Sequence, residues 1–218
     1  MKYQIFIVLF VFMVFGSSLM PKNQQATGQV NNDTIYAFDY SAAAGMYATG
    51  HYDWKIRIWD AATNTLLHTI QAPDLRPNGQ GDVFSIQQLA FSPSGERLAA
   101  CFYAEGGAIL VIDTSTGQTL LDISESLPTM KAITWSSDGD RLAGIYEWSA
   151  IANEWDGWLA LWDAGTGQEI RQTLIGGSPV SLDWHPSDDR LIYPSYTGVS
   201  VWDTEQWQEL VAIPFESE

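Results

Sequence analysis

Aliphatic residues alternate with others in four short segments of the chain. Ile56 and Ile58, Ile109 and Val111, Leu159 and Leu161, and Val199 and Val201 stand three and one positions before a Trp, or before Ile112 in the second segment. Spacing of this kind, with a period of two, predicts strands. Arg57, Ala160 and Ser200 between the aliphatic positions are small or amphipathic, so each strand packs unevenly on its two faces. Every segment closes on the same pair: Trp59-Asp60, Ile112-Asp113, Trp162-Asp163 and Trp202-Asp203. Four residues after the aspartate stands Asn64, Gly117, Gly167 or Trp207, and seven after it Leu67, Leu120, Ile170 or Leu210. Asn and Gly tolerate positive φ, which predicts a hairpin turn into a further strand. Trp207 breaks that rule and predicts a different turn or a wider loop in the fourth copy.

A second pattern lies upstream of each segment. Phe91-Ser-Pro-Ser-Gly-Glu-Arg-Leu98 parallels Trp135-Ser-Ser-Asp-Gly-Asp-Arg-Leu142 and Trp184-His-Pro-Ser-Asp-Asp-Arg-Leu191, each reading as strand, polar turn, strand. Phe38 to Met46 is a looser first copy whose turn reads one residue longer. The aspartates of successive copies lie 53, 50 and 40 residues apart, close to the roughly 40–45 residues of a four-stranded propeller blade. An all-β propeller of four blades follows.

The chain resembles the WD-repeat β-propeller family over about residues 34–213. The most specific stretch is Ala48-Thr-Gly-His-Tyr-Asp53-Trp-Lys-Ile-Arg-Ile-Trp-Asp60. The resemblance implies that an Asp between the second and third strands bonds backbone amides and tightens the blade. Asp53 and Asp156 match that position, whereas Gly106 and Tyr196 stand there in the other copies. The Gly-His pair that often opens a blade of the family is missing from all four. WD-type blades more commonly come in sevens, so four blades imply a small closed ring, an incomplete ring, or half of a dimeric one. The resemblance also implies a platform for protein interaction without intrinsic catalysis.

Composition narrows the classes further. The 218 residues are 46% hydrophobic and 17% charged, the profile of a folded domain. Five of the ten Trp residues, at 59, 135, 162, 184 and 202, fall on repeat positions and belong to core packing. Net charge is −16 and the ten basic residues are scattered, which leaves no electrostatic footprint for nucleic acid or anionic lipid.

Lys2 precedes an apolar run from Ile5 to Phe15, followed by Gly16, Ser17 and Ser18. This reads as a signal peptide over residues 1–18, with an uncleaved membrane anchor as the alternative. The expected location is therefore secreted or periplasmic, or membrane-anchored. Residues 19–33 are polar, Gln- and Asn-rich, and read as a linker ahead of the propeller at 34–218.

Catalytic chemistry finds no motif. Cys101 is the only cysteine and sits in a strand without a basic or His neighbour, as a small buried hydrophobe would. His51, His68 and His185 each fit structural places, and neither a metal-ligand cluster nor Gly-x-Ser-x-Gly occurs. Asp138-Gly139-Asp140 reads as a polar turn rather than a calcium loop. No cofactor or metal is expected. A hydrolase holding a metal in its channel is the enzymatic alternative, and a piece of a larger WD-repeat protein is a third reading.

Two insertions explain the longer spacings: Gln71 to Asp82 between blades one and two, and Glu147 to Gly157 within blade three. In the family topology both lie on one face. The second carries Trp148 and Trp155 with Glu147 and Glu154, an aromatic and acidic group suited to a protein or peptide partner. The competing reading folds both Trp residues down as a plug on their own blade. A homodimer is a further expected partner state.

Overall fold

A computed structural model of the protein describes residues 34–72, 85–103, 107–151, 154–175, 177, 179–187, 189–195 and 198–214. The segments read as signal peptide and linker lie outside the described residues, as does most of the connection between blades one and two.

The described chain forms four antiparallel sheets of four strands each. The first holds β1 (Ile35–Ser41), β2 (Met46–His51), β3 (Lys55–Asp60) and β4 (Leu66–Gln71). The second holds β5 (Ser85–Phe91), β6 (Arg97–Tyr103), β7 (Gly107–Asp113) and β8 (Thr119–Leu127). Blade three is β9 (Thr129–Trp135), β10 (Arg141–Ile151), β11 (Glu154–Asp163) and β12 (Glu169–Leu174). Blade four is β13 (Asp183–Trp184), β14 (Arg190–Ser195), β15 (Gly198–Asp203) and β16 (Gln208–Pro214). In each sheet the strands pair in sequence order, so every connection within a blade is a hairpin. The four blades predicted from the aliphatic alternation are all present.

The conserved geometry of the turn after the third strand comes from the aspartate of each Trp-Asp pair. One carboxylate oxygen accepts two successive amides: those of Ala62 and Thr63 at Asp60, Ser115 and Thr116 at Asp113, Gly165 and Thr166 at Asp163, and Glu205 and Gln206 at Asp203. The residue four past the aspartate then turns left-handed, with φ of 56° at Asn64, 70° at Gly117 and 75° at Gly167. Trp207 takes the same conformation at 56°, so the fourth turn is not of a different kind. Its ring meets Trp202 edge-on at 5.8 Å, and that contact offsets the cost of a left-handed bulky residue.

The first turn is also regular. Ser41 pairs with Met46 across four residues, as Ser92 meets Arg97, so the turn is no longer than in the other blades. Tyr40, and not Phe38, therefore occupies the place of Phe91, Trp135 and Trp184.

Three cores lie between adjacent blades. Ile56 and Ile58 of blade one pack with Ile86, Leu98, Phe102 and Ile112 of blade two. Ile109 and Val111 pack with Trp135, Leu142 and Trp162 of blade three. Leu159 and Leu161 pack with Trp184, Leu191 and Trp202 of blade four. Close approach is built in: a Cβ on Gly50 would stand 2.7 Å from a methyl of Ile86. Among the described residues no strand of blade four packs on a strand of blade one. The described blades pack in sequence order, one on two, two on three and three on four.

Candidate functional site

Alternating hairpins place the turns between second and third strands, and the connections between blades, on one face of the row. The other face carries the aspartate turns and the turns between first and second strands. The segment from Glu147 to Gly157 was expected to be an inserted loop. It is instead a continuation of the β10–β11 hairpin, with Glu147 opposite Gly157 and Trp148 opposite Asp156, and a register shift before Ile151 pairs with Glu154. At eleven and ten residues these are the longest strands described. Asp156 consequently lies within β11 and does not occupy the turn position that Asp53 holds. Trp148, Glu154 and Trp155 stand on the outer part of this hairpin.

Glu147 is placed differently from the other three. Its carboxylate is buried and meets the Lys131 ammonium at 2.8 Å, while that ammonium also lies 4.9 Å from the centre of the Tyr103 ring. An ion pair this enclosed is costly to break because the remaining charge would be left without a partner. Glu147 thus anchors the base of the hairpin to β9 and to blade two. Beside it Tyr146 and Trp158 stack at 6.3 Å with parallel planes. Tyr146 donates its hydroxyl to Gln172 Oε1 on β12, and burial, helped by Glu169, pushes its phenol up to about 12. The hairpin therefore rises from a rigid base.

Asp53 occupies the turn between β2 and β3. It accepts the Lys55 amide at 3.2 Å and both guanidinium nitrogens of Arg57, at 3.1 and 2.6 Å. Burial works against its charge, but the Arg57 hydrogen bonds and charge prevail and hold its carboxyl below the ordinary value. Trp59 donates its indole N–H to the Thr49 hydroxyl at 2.9 Å, and Thr49 contacts His51 Nε2 at 2.7 Å. In blade four the Trp202 indole nitrogen is buried with no hydrogen-bond partner among the described residues.

The arginines at the end of the polar turns in blades two and three reach to the following blade, a role the sequence pattern contained but did not explain. Arg97 lies 4.8 Å from the centre of the Trp135 ring and donates to the carbonyls of Gly139 and Ala164. Arg141 lies 5.2 Å from the Trp184 ring and pairs with Asp189. Asp39 serves the same purpose on the inner strand, accepting the Phe91 amide at 2.6 Å. Desolvation raises its pKa despite that bond.

Cys101 is a free, fully buried thiol whose pKa burial pushes up to about 12. His68 meets the Ser115 carbonyl across the first junction at 3.0 Å, and His185 takes the Ser187 amide in its own turn. Among the described residues no three His, Cys, Asp or Glu side chains gather as metal ligands.

Comparison with known proteins agrees with this architecture. Residues 22–60 match the family description "WD40: WD domain, G-beta repeat". The chain is similar to WD-repeat proteins in that segment and in its fold. The match begins inside the segment read from composition as a linker. Eukaryotic translation initiation factor 3 subunit I of Pyricularia oryzae is 26% identical over 73% of this chain and 45% of its own length. The same subunit of Vanderwaltozyma polyspora is 26% identical over 69% of this chain and 44% of its own length. That of Debaryomyces hansenii is 23% identical over 66% and 40%. The chain thus spans less than half the length of these curated relatives. A solved structure titled "Structure of U3-55K" superposes with a TM-score of 0.62 at 15% identity, over 84% of this chain and 52% of that one, which shows the fold.

These relatives are named as subunits of a translation initiation factor, and none of their names is that of a hydrolase. They also overturn the expected secreted, periplasmic or membrane-anchored location, because subunits of a translation initiation factor belong to the cytoplasm. Residues 1–18, with the apolar run from Ile5 to Phe15, lie outside the described residues.

Proposed function

We propose that this protein is an association module whose β10–β11 hairpin engages a protein or peptide partner as part of a larger cytoplasmic assembly. The observation that carries the reading is the hairpin itself. Blade closure needs strands of six or seven residues, as in β2, β3, β6 and β7, yet β10 and β11 run to eleven and ten. The added length bears Trp148, Glu154 and Trp155. Large aromatics are among the side chains that dominate binding energy at protein interfaces. The relatives' names support the same role, since each is called a subunit of a translation initiation factor. Glu147 supports the hairpin through Lys131 and is not itself a contact residue.

The test uses the intact chain and a W148A/W155A variant as baits in a cytoplasmic extract, with the captured protein then titrated against both. The expected result is a loss of about 2 kcal/mol or more in binding, roughly 30-fold, with an unchanged melting temperature. A large fall in melting temperature with binding retained would show that the two Trp residues are a plug on blade three.

A further inference from the structure

We propose that the junction of blades one and two carries a binding site for an arginine side chain presented by a protein partner. The site lies on the face opposite the β10–β11 hairpin, so its occupant is a second partner and the inference does not rest on the hairpin's role.

The residue that opens the second strand holds one place in all four blades, paired across the ladder with the aspartate that caps the next turn. These pairs are Met46 with Asp60, Arg97 with Asp113, Arg141 with Asp163 and Arg190 with Asp203. In blades two and three the guanidinium at this place is received by the following blade through three kinds of group. One is the ring that ends the first strand, with Arg97 over Trp135 and Arg141 over Trp184. Another is a pair of carbonyls, Gly139 in the polar turn and Ala164 just past the Trp-Asp pair, which accept from Arg97 at 2.5 and 3.2 Å. The last is the carboxylate that precedes the next arginine, Asp189, which pairs with Arg141 at 2.5 Å.

Blade two has a counterpart of each group, and blade one offers Met46 in place of the arginine. Aligned on the turn, Gly95 corresponds to Gly139, Thr114 to Ala164 and Glu96 to Asp189. All three counterparts line an open cavity of about 550 Å³, and Met46 and Asp113 stand in the same wall. Met46 is half-buried and packs against the first core, and its thioether has no hydrogen to donate. Phe91, the counterpart of Trp135 and Trp184, packs against that core as well. The cavity is therefore built for hydrogen bonds and charge. The Gly95 carbonyl accepts the Thr114 hydroxyl at 2.7 Å, which leaves its second lone pair for a guest. Glu96 is exposed and accepts the Ser94 hydroxyl through one oxygen, which leaves the other.

Two carbonyls beside a carboxylate are acceptors only, and a guanidinium is a planar fork of five donors that keeps its charge. An ammonium brings the charge without the fork, and so meets fewer of these acceptors in one plane. Anions are disfavoured by Glu96, Asp113 and the net charge of −16. The fold already builds this recognition at its next two junctions with its own arginines.

Magnetic resonance of the full chain, observing backbone amides and Met methyls during titration with N-acetyl-arginine amide, tests the proposal. Saturable shifts are expected at the Met46 methyl and at the amides of Gly95, Glu96 and Thr114. Gly139 and Ala164 are expected to stay in place, because Arg97 occupies their carbonyls. N-acetyl-lysine amide is expected to give smaller shifts at the same concentration. Glu96→Gln, at an exposed turn position, is expected to keep the parent's melting temperature and weaken arginine binding about two- to fivefold, the range of an exposed ion pair. Met46→Arg is expected to melt no lower than the parent and to abolish the shifts, since it supplies the guanidinium from within the chain. A full chain without saturable shifts overturns the proposal. So does an equal response to the lysine compound, unchanged affinity in Glu96→Gln, or a Met46→Arg chain that melts lower or still binds.

Discussion

Trp207 is the residue at which the sequence pattern was most misleading. Three of four copies place Asn or Gly at the left-handed position, and a bulky aromatic there reads as a break in the rule. The backbone nevertheless keeps the common turn, because Asp203 fixes two amides and the ring packs edge-on against Trp202. Trp207→Val is expected to destabilise by about 1–2 kcal/mol more than Trp207→Asn, since a β-branched residue resists positive φ and Asn does not. Urea denaturation of the two variants checks it, and equal midpoints would show that the ring contact alone decides.

The capping aspartates make a pH prediction. Hydrogen bonds from Thr63 lower the pKa of Asp60, those from Ser115 and Thr116 that of Asp113, and those from Thr166 that of Asp163, all from an ordinary value of 3.8. A carboxyl depressed in the folded state contributes stability that is present above 3.8 and lost as pH falls through its depressed value. An Asp60→Asn, Asp113→Asn, Asp163→Asn chain is therefore expected to lose less stability than the parent between pH 5 and acid, a range that follows from this linkage. Thermal melts across it show the difference; parallel curves would mean that the caps carry no linkage.

Among the elements, the strand positions were legible because alternation and turn residues repeat four times. The hairpin of blade three was not. A stretch such as Glu147-Trp-Ser-Ala-Ile-Ala-Asn-Glu-Trp-Asp-Gly157 lacks clean alternation and reads as loop, whereas pairing continues from the base of the hairpin to Ile151 and Glu154. Glu147 shows the same limit: a charged residue beside two Trp residues reads as exposed, and only the fold brings Lys131 beneath it. The arginines that follow the polar turns were visible as a repeat, but their targets lie one blade further on. Arg97→Ala is expected to cost about 2 kcal/mol, for the lost ring contact and two carbonyl hydrogen bonds together. A change under about 0.5 kcal/mol, the range of an ordinary surface substitution, would show that the arginine is not part of the junction.

For the molecule as a whole, blade count could be read from spacing, but closure could not, because it depends on the angle between packed sheets. Different burial predicts unequal effects at equivalent positions. Ile58 is fully buried in the first junction, and Ile58→Ala is expected to cost about 2–5 kcal/mol. Val201→Ala, at the same repeat position but half-buried, is expected to cost less than about 1 kcal/mol in dilute single chains. Equal losses would indicate a flank already covered within the chain.

The claim that this is an association module working through one face is tested most directly by hydrogen exchange on the protein alone and with its captured partner. The account predicts added protection in β10 and β11 between Glu147 and Gly157, on the face that also carries the turn at Asp53. The aspartate turns at 60–65, 113–118 and 163–168, on the opposite face, are predicted to be unchanged. Protection gained at those turns with the hairpin unaffected would contradict it.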